Sequence, residues 1–204
     1  MSTEHSSLCS VPSFTSLLIK TMDAMIPEKL LVTLLLVSLY GNPAGSQTWT
    51  TFTVTNSGIP ANSVYDLTID SADNIWVATA QGLGMFDSLS WSTWDYTNSP
   101  IPITSNNSCY AVYSDKDQDI WLGTDYGHLL RFDRDTTWTD YSNEGFGDIN
   151  VIRQDLQGIL WVGHYYGLKT FDGSTWSDLT SYLPDDYVLS IAMDPDSNVW
   201  VGTR

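Results

Sequence analysis

The sequence predicts an all-β protein built from repeated four-stranded antiparallel sheets. A six-residue pattern centred on tryptophan occurs four times, around Trp76, Trp121, Trp161 and Trp200, at a period of about 40 residues. From Gln47 onward the chain contains 20 Asp and one Glu, and Asp favours turns whereas Glu favours helices. A repeat of this length cannot bury its apolar face alone, so each unit must pack against a neighbour and the tryptophans are expected in the core.

Each repeat divides into four short strands. The first strand alternates apolar and polar residues, as in residues 64–70, and ends at an Asp. The tryptophan strand follows a tight turn, and a Gly-containing loop then leads to a third strand, such as residues 83–87, and a fourth, such as residues 91–94. Four strands in about 40 residues indicate a blade of a β-propeller. A solenoid of hairpins is the competing architecture.

The two ends of the repeat region predict an incomplete ring. Residues 49–52 have the pattern of a fourth strand without the three strands before it, and the last repeat stops at Arg204 after its second strand. The region 47–204 therefore predicts about three full blades plus half a blade, whereas a closed propeller needs about four blades or more. We expect this sequence to be a fragment that is truncated at its C-terminal side.

The first 46 residues differ from the repeats and predict an export signal. Residues 30–40 form an uncharged apolar run preceded by Lys29, which suits the hydrophobic part of a secretory signal peptide. The run is shorter than the roughly 20 residues that a transmembrane helix needs. Ala44 and Ser46 supply small residues for cleavage before Gln47. We expect a periplasmic, extracellular or cell-surface location; an uncleaved membrane anchor is the alternative.

Charge and cysteine content limit the partners. The net charge of −16 repels phosphate backbones, so nucleic acid is not an expected partner. Membrane contact is expected only through the leader or through a segment downstream of this sequence. Cys9 would leave with the leader. Cys109 lies in a strand pattern, where a small buried hydrophobe is expected, and pairing between chains is the alternative.

The repeats resemble a known family, the two-component regulator propeller repeat. The clearest copy, residues 155–176, runs from an Asp turn through the tryptophan strand to a Gly-Leu pair, a Phe-Asp-Gly turn and a final Trp. Ala78 replaces the family's Gly in the first copy, His164 replaces its Thr in the third, and Gly127-His128 replaces Gly-Leu in the second. The resemblance covers residues 49–204 and implies the ligand-sensing ectodomain of a bacterial hybrid two-component sensor, whose cues are polysaccharide fragments.

Candidate ligand-binding residues lie in or beside the loops between second and third strands. In propellers these loops share a face with the connections between blades. Exposed tyrosines beside Asp and Gln suit carbohydrate, because rings stack on sugars and polar groups bond hydroxyls. The alternative is that the tyrosines pack between blades. The candidates for a small-molecule or oligosaccharide ligand are Gln81, Asp125, Tyr126, His128, His164, Tyr165 and Tyr166.

No catalytic or metal site is predicted. His128 and His164 occupy equivalent loops, but two histidines without a third partner do not make an acid–base or metal site. Turns such as residues 70–74, 115–119 and 194–198 place oxygen ligands as a calcium loop does, but they lack its later Gly and Glu. A turn in which Asp bonds its own backbone is favoured, so no cofactor is expected and calcium is disfavoured.

Three functions are ranked on these grounds. A sensing module comes first, with a signalling domain or kinase expected downstream rather than in this segment. A secreted or surface-attached propeller for adhesion or scaffolding is the alternative. A distant third is an enzyme like the streptogramin lyases, which are propellers with a similar repeat and need a histidine–carboxylate cluster. No enzymatic activity is expected within this segment.

Overall fold

The chain folds into antiparallel sheets joined by short turns. The computed structural model describes residues 35–38, 48–102 and 108–204, and we number the strands along the chain. The strands are β1 (Leu35–Ser38), β2 (Thr48–Thr51), β3 (Val64–Ile69), β4 (Ile75–Thr79), β5 (Gly82–Phe86), β6 (Trp91–Trp94), β7 (Cys109–Ser114), β8 (Ile120–Thr124), β9 (Leu129–Phe132), β10 (Trp138–Asp140), β11 (Ile149–Gln154), β12 (Leu160–His164), β13 (Gly167–Phe171), β14 (Trp176–Asp178), β15 (Val188–Met193) and β16 (Val199–Thr203).

These strands form the four-stranded repeats that the sequence predicts. Strands β3–β6, β7–β10 and β11–β14 each make one sheet with the strands in chain order, and we call these sheets blades 1, 2 and 3. Strands β15 and β16 form a two-stranded piece. The first strands of successive sheets pack against one another, β3 against β7, β7 against β11 and β11 against β15. Three full blades plus a two-stranded piece fit an incomplete propeller.

One Asp organises the turn before each tryptophan strand. In blade 2, Asp115 Oδ1 accepts the backbone N–H groups of Asp117 and Asp119, both at 2.9 Å, and Asp115 Oδ2 accepts the Trp121 indole N–H at 2.8 Å. The same Asp–indole bond, 2.9–3.0 Å long, recurs in Asp70–Trp76, Asp155–Trp161 and Asp194–Trp200. Each acidic turn is therefore bonded to its own backbone and anchors its tryptophan.

The apolar core lies between neighbouring sheets rather than within one. Trp76 and Leu83 of blade 1 pack with Ile120 and Leu130 of blade 2, and an equivalent cluster joins blades 2 and 3. Trp76 and Trp121 are buried, as expected. Trp200 is 64% exposed, so the expectation of a core position is wrong there. The physical reason is that the two-stranded piece has no third strand and no following blade among the described residues, whereas Trp76 and Trp121 pack against the next blade.

Close approach between sheets explains one departure from the repeat. A Cβ atom on Gly123 would lie 2.3 Å from Ile149 Cγ2, and one on Gly163 would lie 2.4 Å from Val188 Cγ1. Blade 1 has Ala78 at this position. Ala78 shares its buried cluster with Cys109. Cys109 begins β7, as Ile149 begins β11 and Val188 begins β15, and its smaller side chain leaves room for the methyl group of Ala78.

Cys109 is fully buried, as the sequence predicts for a small hydrophobe. Burial raises the pKa of its thiol strongly, and the nearby Asp125 raises it further. A buried, protonated thiol is a poor nucleophile, so pairing between chains is not available to it in the folded protein.

The segment before blade 1 has the structure of a fourth strand. Phe52, just after β2, packs on Phe86 and Trp91 of blade 1 with ring centroids 5.1 and 5.6 Å apart. Trp94 packs in the same way on Phe132 of blade 2 at 5.4 Å. Strand β2 therefore holds the place of an outer strand preceding blade 1, as predicted.

The turns that follow these two outer strands are copies of each other. Asn56 Oδ1 accepts the Thr53 N–H at 2.8 Å, and Asn98 Oδ1 accepts the Asp95 N–H at 2.8 Å. The amide groups of Asn56 and Asn98 each donate to the backbone carbonyl five residues earlier, at 2.9 Å. Residues 52–60 and 94–102 thus repeat in structure as well as in sequence.

Strand β1 pairs antiparallel with β2, with Leu35 opposite Thr51 and Ser38 opposite Thr48. The rest of the predicted leader, including the expected cleavage point before Gln47, lies outside the described residues. Among the residues that the structure does describe, no helix has the length and apolar character needed to cross a membrane.

Candidate functional site

The predicted site loops lie at one end of the sheets, together with a bulge in each first strand. The start of a first strand pairs with the end of the second, as Ile149 does with His164. One residue later each first strand shifts register and leaves an extra residue unpaired. The extra residues are Tyr65, Tyr110, Asn150 and Leu189. The bulges therefore place these side chains beside the loops that follow the second strands.

Two bulge tyrosines form a pair between blades 1 and 2. Tyr65 and Tyr110 meet edge to face with ring centroids 5.0 Å apart, and Tyr65 is half exposed. Burial raises the pKa of Tyr110, and the nearby Asp125, Tyr65 and Asp148 raise it further. The Tyr110 phenol therefore lies within the electrostatic reach of two carboxylates.

A second group of tyrosines lies at the junction of blade 3 and the two-stranded piece. Tyr165 contacts Tyr166 edge to face at 5.0 Å and Tyr187 at 4.8 Å. Tyr166 is 63% exposed. A Cβ atom on Gly147 would lie 2.8–2.9 Å from the side chains of Tyr166 and Tyr165, so this glycine lets the tyrosines lie against the connection before blade 3.

Tyr126 links these two groups. It is 67% exposed and has a left-handed backbone with φ of 57°. Its N–H donates to Asp148 Oδ1 at 2.8 Å, which ties the loop of blade 2 to the connection before blade 3. We call the set Tyr65, Tyr110, Tyr126, Asp148, Tyr165, Tyr166 and Tyr187 the tyrosine face.

The structure places the seven predicted ligand-binding residues in different environments. Tyr126, Tyr165 and Tyr166 belong to the tyrosine face, and Gln81 is exposed in the equivalent loop of blade 1. Asp125 is 4% exposed and its N–H donates to the Ser108 carbonyl at 3.1 Å. The Asp125 side chain therefore lies below the surface, where the sequence led us to expect an exposed ligand group.

The two histidines are held by different partners. His128 Nδ1 lies 3.0 Å from Ser142 Oγ in a half-buried position. His164 is 1% exposed, and its Nδ1 accepts the backbone N–H groups of Gly147 and Tyr166 at 3.1 and 3.2 Å. His164 therefore lies beneath the tyrosines, where it supports the face rather than reaching a ligand.

The environment keeps His164 uncharged. Burial lowers its pKa to about 4, the nearby Lys169 contributes in the same direction, and Asp178 opposes them. A histidine with this pKa is neutral near pH 7 and carries a proton only in acid.

Sequence reasoning missed Tyr65, Tyr110, Asp148 and Tyr187. Tyr65 and Tyr110 do carry a signal, because each directly follows the first apolar residue of a first strand. Recognising it requires knowing that the strand bulges there. Asp148 and Tyr187 stand just before β11 and β15 in the connections between blades, which were expected on the same face as the loops, but neither side chain was named as a candidate.

Two clefts lie at the opposite end of the sheets. One, of about 290 Å³, is lined by Asp155, Leu156 and Met193 between blade 3 and the two-stranded piece. The other, of about 490 Å³, is lined by Trp94 and Arg134 between blades 1 and 2. Neither is lined by a residue of the tyrosine face, which is an open surface. Among the described residues, no group of three or more His, Cys, Asp or Glu could hold a metal ion.

Comparison of the sequence with protein families supports the repeat assignment. The Two component regulator propeller profile matches residues 58–81, 104–126 and 182–204. These ranges contain the first and second strands of blades 1 and 2 and of the two-stranded piece. They do not include the copy around Trp161, whose sequence follows the repeat pattern most completely. No curated protein matches the sequence significantly.

Solved structures share the architecture. The extracellular domain of a proposed hybrid two component system from B. thetaiotaomicron superposes with a TM-score of 0.65 at 20% identity, covering 78% of this chain and 23% of that one. Virginiamycin B lyase from Staphylococcus aureus gives a TM-score of 0.62 at 15% identity, with 76% and 53% covered. PorZ, a surface component of the type-IX secretion system of Porphyromonas gingivalis, gives 0.59 at 18%, with 76% and 25% covered.

At these identities the likenesses show the fold alone, and the chain spans less than a quarter of the sensor domain it matches. The repeat pattern, the sheet order and the matched ranges agree with one another. The chain carries two component regulator propeller repeats, folded as the blades of a β-propeller.

Proposed function

We propose that this chain is part of an exported sensor propeller whose tyrosine face binds an oligosaccharide or a similar small polar ligand. The observation that carries the proposal is the set of exposed and half-exposed tyrosines grouped with Asp148 at one end of the sheets. The tyrosines expose ring surface at the junctions between sheets, where it is available to a ligand.

The chemistry of this face suits a sugar. Tyrosine rings present flat apolar surface on which the C–H face of a sugar ring can stack, and the phenol keeps a polar end for water or hydroxyls. Asp148 Oδ1 already accepts the Tyr126 N–H. Its other oxygen has acceptor capacity for a hydroxyl group, since an ionised carboxylate has several lone pairs.

Export and signalling rest on the likeness to extracellular sensor domains. The matched B. thetaiotaomicron chain is the extracellular domain of a proposed hybrid two component system, and the Two component regulator propeller profile matches three segments of this protein. A signalling domain encoded beyond these residues would convert binding into an output. The segment itself acts as a binding module without catalysis.

The alternative is a surface propeller for adhesion or scaffolding, which the likeness to PorZ favours. A lyase-like enzyme fits less well. His128 and His164 bind separate partners, and His164 is buried beneath the face. The histidine–carboxylate cluster that such an enzyme needs is therefore not formed by these two residues.

The tyrosine face is tested by combined substitution of Tyr126, Tyr165 and Tyr166 with Ala. Wild-type protein is first screened on an array of neutral and acidic oligosaccharides, and the hits are measured by calorimetry. We expect the triple variant to lose binding while its circular dichroism stays unchanged, because the three side chains are 45–67% exposed. Leu156→Ala, an exposed position at the opposite end of the sheets, is the control. Unchanged affinity in the triple variant would contradict the proposal.

Sensor and surface propeller are separated by the gene downstream of the Arg204 codon. Further blades followed by a hydrophobic span of about 20 residues and a kinase would support the sensor. A secretion or anchoring module in that place would support the alternative and exclude signalling.

We propose no cofactor for this module. The first Asp of each acidic turn uses both oxygens for its own backbone and for the tryptophan indole, as Asp115 does. Calcium would have to compete with these bonds. A calcium titration followed by thermal melting should leave Tm unchanged; a rise in Tm that saturates with calcium would overturn this expectation.

A further inference from the structure

We infer that His164 is a positioning residue, which holds the Tyr165–Tyr166 loop in place only while its imidazole is uncharged, so that acid releases this part of the tyrosine face. The effect on ligand binding rests on the proposed function. The release of the loop does not, and it can be measured without a ligand.

A single nitrogen joins two separate segments. His164 Nδ1 accepts the N–H of Gly147, in the connection before β11, and the N–H of Tyr166, in the loop after β12. Backbone N–H groups can only donate, so Nδ1 must be the acceptor and the ring proton sits on Nε2. Nε2 is buried and has no hydrogen-bond partner among the described residues.

The same contact supports the tyrosines. Tyr165 N–H donates to the Asp148 carbonyl at 2.9 Å, so the two segments are joined on both sides of the imidazole. Gly147 lies directly against the Tyr165 and Tyr166 side chains. Loss of the Nδ1 bonds would therefore free the loop at the residue whose ring is most exposed on this side of the face.

Protonation at Nδ1 would place a third N–H against two N–H groups that then have no acceptor. The charged groups near the ring do not compensate for this. Lys169 on β13 disfavours a second positive charge, while Asp178 on β14 favours it. Asp148 lies beside Gly147, and the phenols of Tyr165 and Tyr166 are the other titratable groups of this loop. The Phe146 ring stands perpendicular to the imidazole at 5.2 Å and offers no acceptor oxygen.

The pH window follows from the two states of the loop. With the loop closed, burial and Lys169 lower the pKa of His164 from 6.5 to about 4. With the loop open, the ring meets water and regains its ordinary value near 6.5. The open state therefore binds the proton more readily, and opening is favoured progressively as the pH falls from about 6.5 to about 4.

Blade 1 shows the same junction without a titrating group. Thr79 occupies the position of His164, and its Oγ accepts the Gln81 N–H at 3.2 Å, just as His164 accepts the Tyr166 N–H. Thr also stands at this position in β8 and β16. His164→Thr is therefore a substitution that the fold already accommodates, and His164→Gln keeps an acceptor of similar reach.

The experiment is amide hydrogen exchange of the full chain by NMR, corrected for the intrinsic pH dependence of exchange. Between about pH 7.5 and about pH 5, opening should increase roughly thirtyfold, from the two pKa values and proton linkage. The protection of the Gly147 and Tyr166 amides should fall by this factor in wild-type protein. It should stay level in His164→Thr and His164→Gln.

Two results would overturn the inference. Level protection at Gly147 and Tyr166 in wild-type protein would show that the loop is not linked to the proton. An equal fall at these two amides in His164→Thr and His164→Gln would show that acid acts through groups other than His164. If the loop opens as expected but no array oligosaccharide binds at neutral pH, the proposed function fails while this inference stands.

Discussion

One hydrogen bond, from a tryptophan indole to the Asp six positions earlier, occurs in all four copies in different surroundings. Asp115 and Trp121 are both buried between blades 2 and 3, whereas Trp200, the partner of Asp194, is largely exposed. An acceptor removed from a buried site leaves donors without water, whereas an exposed donor is rehydrated. The same bond should therefore have different energetic weight at the two sites.

Asp115→Ala should lower the free energy of unfolding by about 3 kcal/mol, because three donors lose their acceptor at a largely buried site. Asp194→Ala removes the three equivalent bonds and a fourth from the Asn198 side-chain amide, but at an exposed surface, and should cost much less. Urea denaturation of the two variants measures the difference. Equal losses would show that the bond, and not its burial, sets the stability.

At the scale of single residues, the sequence predicts which side chains form hydrogen bonds or offer ring surface better than it predicts how exposed they are. The Asp turns follow from residue type and spacing, and Tyr126, Tyr165 and Tyr166 follow from their loops. Burial of Asp125 and His164 could not be predicted, because it depends on which side of a loop faces the neighbouring sheet. Tyr65 was missed for a different reason, since a bulge redirects a side chain and strand alternation does not reveal it.

At the scale of strands, the side chains that meet between neighbouring sheets are matched in size. Gly123 faces Ile149, and Gly163 faces Val188. Where Ala78 takes the place of the glycine, Cys109 takes the place of the larger residue. A methyl group on one sheet is thus accommodated by a smaller side chain on the next, which keeps the packing density of the interface.

Gly123→Ala alone should destabilise the protein by about 1–3 kcal/mol, because its Cβ would overlap Ile149. Ile149→Cys alone should also destabilise it, by leaving a cavity. The double variant reproduces the Ala–Cys pair of the preceding interface and should lose less than the sum of the two. A double-mutant cycle measured in urea checks this; additive losses would contradict size matching.

The strands themselves could be predicted because each has a short apolar pattern bounded by Asp, Gly or Asn. Pairing within a blade follows from chain order, since short turns join antiparallel neighbours. The pairing of β1 with β2 could not be predicted, because the same residues have the composition of an export signal. Exposure of Trp200 depends on what covers the outer sheet and not on its own repeat.

At the scale of the whole molecule, acidic side chains support the fold through their hydrogen bonds. Backbone N–H and hydroxyl donors within the turns hold several Asp pKa values below the ordinary 3.8, as at Asp87 and Asp172. For Asp70, burial alone would raise the pKa, but the bonds from Trp76 and Asn74 outweigh it. The folded chain therefore prefers these groups ionised despite its net charge of −16.

Stability should fall when these groups are protonated. The unfolded chain takes up protons near pH 3.8, before the folded chain does, so the Asp contribution is present above that pH and is lost below it. His164 adds an earlier loss, of at most about 3 kcal/mol, as the pH falls from 6.5 to about 4. Urea midpoints across this range should show two steps in wild-type protein and only the lower one in His164→Thr. A single step in both proteins would contradict the assignment.

The matching turns at residues 52–60 and 94–102 have a consequence for how such rings change in size. Both segments make the same asparagine bonds, and both place an aromatic ring on the sheet that follows. An in-register crossover between them would duplicate or delete residues 53–94 as one module and leave each junction with contacts it already has. The unit that can be gained or lost in this architecture is thus a whole blade, because the same junction occurs on both sides of it.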